Sequence, residues 1–253
     1  MLGKNLPLSE VVNEPWVNEP FLGIPALGTY GSIHIDTLAL TWICMGFILA
    51  SAALIVPTLT ATSAGSKAQQ VLEMVYQFVE DLIKGLMGRH YKLFLPLIAG
   101  IFMFVLTANF IGVGPWQAFE GWFESMGWHW PHIHGEPFEV ASPTTDFNVT
   151  MGLATVSLIV YVGSGFWAHG AKYLKLYLNP IEWMDLVIRP ATLALRLMMV
   201  ITADELMRAA AILMVPVLLP TGVMAFELFI GVIQAFVFSL LTSIYIGLTL
   251  EHH

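Results

Sequence analysis

The sequence predicts an all-α membrane protein with five spanning helices and one amphipathic helix at the membrane interface. Its last two helices form a long, tilted hairpin. Three observations predict this. Of 253 residues, 57% are hydrophobic and 11% charged, whereas soluble domains carry roughly 25% charged residues. The mean hydropathy is +0.75. Five apolar runs reach the length of about 20 residues that a bilayer crossing needs, and Lys and Arg cluster in alternate connections between them. A net charge of −8 at pH 7 excludes nucleic acid as a natural partner. The single cysteine, Cys44, lies in an apolar run and reads as a buried thiol.

Residues 1–36 are an irregular outer-side segment punctuated by Pro7, Pro15, Pro20 and Pro25. They hold one Lys and no apolar core of signal-peptide type, so the first span directs insertion. Residues 37–253 read as one integral membrane domain. Its spans are expected at 37–59, 93–113, 147–168, 181–215 and 222–250. Residues 71–87 differ: Val71, Val75, Phe78, Val79, Leu82, Ile83 and Leu86 recur at helical spacing, with Glu73, Gln77, Glu80, Asp81 and Lys84 on the other side. That is the amphipathic helix. The 114–146 connection is a Trp- and Pro-rich loop with no Lys or Arg.

Lys67, Lys84, Arg89, Lys92, Lys172 and Lys175 fall in connections on one side, which predicts an outside N-terminus and an inside C-terminus. The last two runs are longer than a crossing requires; 29 residues from 222 to 250 extend about 43 Å against a core of about 30 Å. Such helices tilt, kink or protrude, and Pro190 offers a kink point.

The chemistry gathers in these two runs. Arg196 sits among Leu193, Leu195, Leu197, Met198, Met199 and Val200, and a mid-membrane guanidinium costs about 2.5–3.5 kcal/mol even on the lenient insertion scale. Glu182, Arg189 and Arg196 are spaced by seven and share a stripe about 40° wide. Asp204 lies about 80° round from Arg196, and Glu205 on the far side. On the last helix Glu227 and Gln234, also seven apart, share a face. Antiparallel pairing sets Glu227 level with Asp204 and Glu205, toward the turn at Pro216 and Pro220, and sets Gln234 near Arg196. Carboxylates then occupy the outer half, a fixed cation the centre and a carboxylate the inner end. A permanent cation interrupts a proton wire, so the pattern suggests two half-paths.

Three segments carry a resemblance: LALRL with its following A-x-E-L, the later E-L-F-I-G-x-I-Q-A-F-x-F-x-x-L-T-x-x-Y, and T-D-F-N-V-T at residues 145–150. The chain resembles subunit a of F-type ATP synthases from about residue 93 onward, most densely after residue 179. The resemblance implies a non-catalytic, proton-translocating stator subunit whose terminal hairpin faces a rotor ring. Arg196 would be the essential stator arginine, Asp204, Glu205, Glu227, Gln234 and Asn148 would line the outer path, and Glu182 the inner one. The implied partners are the c-type rotor ring, the peripheral stalk subunit b, lipids and, indirectly, the F1 catalytic sector. No cofactor and no metal are implied, and the expected setting is a bacterial plasma membrane, with an organelle inner membrane as the alternative. Two departures stand out: Met198, Met199 and Val200 replace the family's usual F-G-N, and Asp204 stands where Gly is common.

Other readings remain beside these. Asn179-Pro180-Ile181-Glu182 also fits a capping box that starts a helix. Arg189 is placed to bridge Asp185, and Arg208 to pair with Asp204 or Glu205. His129, His132 and His134 read as a solvated outer loop rather than a metal site. A stand-alone proton- or ion-coupled transporter using the same Arg and acids is the alternative function.

Overall fold

Six α-helices account for nearly all of the computed structural model, which describes residues 35–55, 67–114, 116, 126, 132–133, 136–137, 142–170, 180–214 and 218–251. They are α1 (Ile35–Ile55), α2 (Lys67–Met87), α3 (Tyr91–Gly112), α4 (Phe147–His169), α5 (Pro180–Met214) and α6 (Leu218–Glu251). Four of them, α3 to α6, are long and apolar enough to cross a membrane; α1 carries a shorter apolar stretch, Thr37–Ala53. Within the 114–146 connection, His132–Ile133 (β1) and Glu136–Pro137 (β2) pair as a short antiparallel ribbon. The sequence had offered no strand there; His129 and His134 lie outside the described residues.

Expected boundaries shift by a few residues for identifiable reasons. Pro96 and Pro190 both lie inside helices, α3 and α5. The last helix begins at Leu218, so Pro220 sits in its first turn, where a missing N–H costs no hydrogen bond. Residues 56–59, expected to finish the first span, lie outside the described residues. At 35 and 34 residues, α5 and α6 each extend about 50 Å.

α6 is the hub: it packs on α2, α3, α4 and α5, while α1 leans on α3. The core is one apolar cluster built from Val79, Ile83, Ile98, Val105, Leu197, Phe238 and Ile246 with their neighbours. Small and hydroxylic residues let α4 and α6 run side by side. Ser157 and Thr242 meet at 3.4 Å, and Ser164 and Thr249 at 2.9 Å. Both pairs step by seven residues, the signature of a parallel seam sealed by hydrogen bonds.

α2 keeps the expected amphipathic pattern. Val79, Ile83 and Met87, one helical stripe, are buried, while Lys84 bridges Glu80 at 3.1 Å and Asp81 at 3.6 Å on the solvent side. The Lys84 hydrogen bond holds the Glu80 carboxyl below its ordinary range, and Tyr91 adds to the same effect. Gly247 permits the close approach of α6: a Cβ there would lie 2.6 Å from the Leu86 carbonyl oxygen.

α1 buries a single stripe, Thr37, Leu40 and Cys44, and exposes Trp42, Ile43, Phe47 and Leu49. Cys44 is the buried thiol its surroundings suggested. Thr37 donates to Asp146 at 2.9 Å, so the start of α1 is tied to the start of α4. Asp146 also caps α4 by accepting from the Asn148 N–H at 2.8 Å.

Candidate functional site

The polar groups of the last two helices separate into three levels. The first lies toward the α5–α6 connection. There Asn109, Gly112, Val113, Ser142, Ile201, Asp204, Glu205, Arg208 and Glu227 surround a cavity of about 20 Å³, which is room for a water molecule. Asp204 is 8% exposed and Glu227 3%. Oδ2 of Asp204 and both carboxylate oxygens of Glu227 have no hydrogen-bond donor. Farther along α6, Gln234 is buried and its Nε2 also lacks a partner. Buried polar atoms are normally satisfied, and these four are not.

Three elements shape this cavity. Asn109 of α3 donates to the Gly231 carbonyl at 3.1 Å and accepts from Thr144 at 2.8 Å. Ser142, before the turn Pro143–Thr145, bonds the Ala108 carbonyl at 3.1 Å and shares a 2.6 Å contact with Thr144. Its backbone N–H donates to Glu205 at 3.3 Å. Gly112 makes this seat possible, because a Cβ there would lie 2.8 Å from the Ser142 Cα.

Arg208 departs from expectation. It pairs with Glu227 of α6 at 3.3 Å, rather than with Asp204 or Glu205 of its own helix, and donates to the Gly112 carbonyl at 3.0 Å. The intrahelical spacing permitted the local pair, but antiparallel packing offered a more buried acid across the interface. Glu205, expected on the side of α5 away from Arg196, lines the cavity with Asp204 and accepts from the Ser142 N–H.

The second level is Arg196, about 12 Å along α5 from Asp204. Its side chain is exposed, between exposed Leu195 and Met199. It makes no ion pair with any described residue. The third level is Arg189, about 10 Å farther along α5 toward its N-terminus. It bridges Asp185 at 2.7 Å, as its spacing predicted, and its guanidinium lies 5.2 Å from the ring centres of both Tyr161 and Tyr245. Glu182, Arg189 and Arg196 thus share a stripe by number, yet Arg189 is clamped between helices and Arg196 is not. Glu182 belongs to α5, which starts at Pro180 as the capping reading expected; its side chain lies outside the described residues. Asn148 is exposed at the first turn of α4.

The tyrosine sandwich, Asn109 and Ser142 were not singled out as site residues in the sequence. Asn109 carried a signal, an amide in an apolar span. Ser142 carried one only by standing before the T-D-F-N-V-T segment.

A permanent cation is thus presented outward from an apolar helix, about 12 Å along that helix from an acidic cavity. The family model described as ATP synthase A chain matches residues 38–247. The chain belongs to this family. Among curated relatives it is 33% identical to the ATP synthase subunit a of Gloeobacter violaceus, over 98% of this chain and 98% of that one. Membership makes it a multi-pass stator subunit of the proton-translocating sector of an ATP synthase, a complex that contains a rotor ring, and sets aside the stand-alone transporter.

Proposed function

We propose that this chain supplies two offset half-paths through which protons reach and leave the carboxylates of a c-type rotor ring. The outer path is lined by Asp204, Glu205, Glu227 and Gln234, with Asn148 near its mouth; the inner path opens near Glu182. A ring carboxylate that takes a proton from the outer path becomes neutral and can turn into lipid, where an ion would be costly. After nearly a full turn it releases that proton to the inner path. Arg196 favours the ionised acid between these events and bars a direct leak between the half-paths. Each proton crossing 100 mV delivers about 2.3 kcal/mol, so several are needed per ATP.

One observation carries this reading: Arg196 is exposed on a helix long enough to cross the membrane, and its nearest neighbours along the chain are apolar. A guanidinium cannot shed its proton, so such a face calls for a carboxylate from a partner. In this reading α1 supplies the fifth span, the N-terminus lies outside, the C-terminus lies in the cytoplasm and the membrane is a bacterial plasma membrane. The α5–α6 hairpin faces the ring, the peripheral stalk subunit b holds the stator, and ATP is made on the F1 sector. The sequence itself contains no G-x-x-x-x-G-K-[ST] phosphate loop. Substituting Arg196→Ala in the assembled complex tests the proposal. Proton-driven ATP synthesis should fall below detection while assembly stays normal; retained synthesis would refute the role.

A further inference from the structure

The outer cavity holds more acid than base. Asp204 and Glu205 enter it from α5 and Glu227 from α6, and Arg208 is the one basic group among the residues lining it. The other polar groups among the described residues lining the cavity are neutral: Asn109 and the Gly112 carbonyl from α3, and Ser142 from the turn before α4. If every carboxyl were ionised, the described residues lining the cavity would carry three negative charges against one positive.

The three acids are not equally provided for. Glu205 accepts from the Ser142 N–H. Arg208 lies 3.3 Å from one Glu227 oxygen, but its hydrogen bond goes to the Gly112 carbonyl, which leaves Glu227 with charge attraction and no donor. Asp204 Oδ2 is buried with no donor at all. Two nearly buried carboxyl groups therefore border a water-sized space, with bare oxygens and one shared cation. Burial without hydrogen bonds is the setting in which a carboxyl pair shares a proton rather than both ionising. A bound metal ion is the less suitable way to balance the charge, because among the described residues no three His, Cys, Asp or Glu side chains are grouped to hold one.

We propose that this cavity is a proton-storage site, in which one excess proton resides on Asp204 and Glu227 and is shared through the cavity's water. The inference deepens the outer path proposed above and rests on it only for the proton's destination. A proton entering from outside joins the cluster as the resident one departs toward the ring, so the cluster's net charge is unchanged by each passage. Asp204, standing where the resemblance leads one to expect glycine, is the added group that makes such storage possible.

Infrared difference spectroscopy of the detergent-purified, assembled complex, with isotope-labelled aspartate or glutamate carboxyl carbons, tests this. Beyond the bands of the ring's own neutral carboxyls, which the variants keep, a further protonated-carboxyl stretching band should be present at neutral pH and shift in deuterated water. It should be lost in Asp204→Asn or Glu227→Gln, each isosteric with the protonated acid, and be unaffected by added Na⁺. If one variant does not assemble, the other carries the test, since the pair shares the proton. Spectra of the unsubstituted complex and the assembled variant that show the same protonated-carboxyl bands would overturn the proposal. So would a band that Na⁺ abolishes, because a metal ion would then occupy the site. The band reports occupancy whether or not protons are translocated, so its absence alongside an inactive Arg196→Ala complex would overturn storage alone.

Discussion

Arg189 and Arg196 carry the same charge on the same helix, two turns apart, and their surroundings differ in every other respect. Arg189 is fully engaged within the chain: Asp185 at 2.7 Å, one tyrosine ring from α4 and one from α6, and Pro190 beside it. Arg196 shares its surface with Leu195 and Met199 and has no ionic partner among the described residues. Placing a cation in a membrane bundle is therefore a problem this chain solves internally when the purpose is structural. Where it leaves the problem unsolved, the proposed solution belongs to another subunit. The comparison separates a brace from a working group without reference to conservation.

Perturbing the two levels on either side of Arg196 sharpens that contrast. Next to loss of Arg196 itself, the largest effect is expected from removing the two most buried acids of the cavity. A double Asp204→Leu, Glu227→Leu variant should reduce proton flux through the membrane sector at least tenfold, about 1.4 kcal/mol or more of added barrier. Flux is measured by fluorescence quenching in reconstituted vesicles; unchanged flux would remove both residues from the path.

Arg189 should behave differently. Arg189→Leu discards an ion pair whose Asp185 side chain is 40% exposed, a contribution that solvent screening keeps small, together with contacts to two rings. The expected cost is on the order of 1 kcal/mol, read as a lower thermal midpoint of the detergent-purified complex. Coupled ATP synthesis should persist at permissive temperature. If Arg189→Leu uncoupled the complex as Arg196→Ala is expected to, the distinction between brace and working group would fail.

Much of this arrangement was legible in the residues, and the boundary of legibility is physical. The seven-residue spacing of Glu227 and Gln234 placed both on one face, and both are buried. The four-residue spacing of Asp185 and Arg189 foretold their ion pair, because i and i+4 side chains are neighbours on any helix. Spacing alone misjudged Arg208, since its ion pair formed with another element, Glu227 on α6. Intrahelical geometry cannot rank a local partner against a distant one. The tyrosine sandwich escaped for the same reason: Tyr161 and Tyr245 stand 84 residues apart in sequence and meet only because Ser157, Thr242, Ser164 and Thr249 allow α4 and α6 to close. The ribbon at His132–Pro137 was missed because two-residue strands leave too few positions for alternation to register.

The central claim is that the exposed face of α5 around Arg196 is completed by the rotor. A density map of the assembled membrane sector, with ring and stator together, tests it most directly. The account predicts a ring carboxylate opposite Arg196, within ion-pair reach or bridged by a single water, with Leu195 and Met199 packed against the ring. A map in which lipid or another stator subunit covers Arg196, and the ring meets a different face of the bundle, would contradict it.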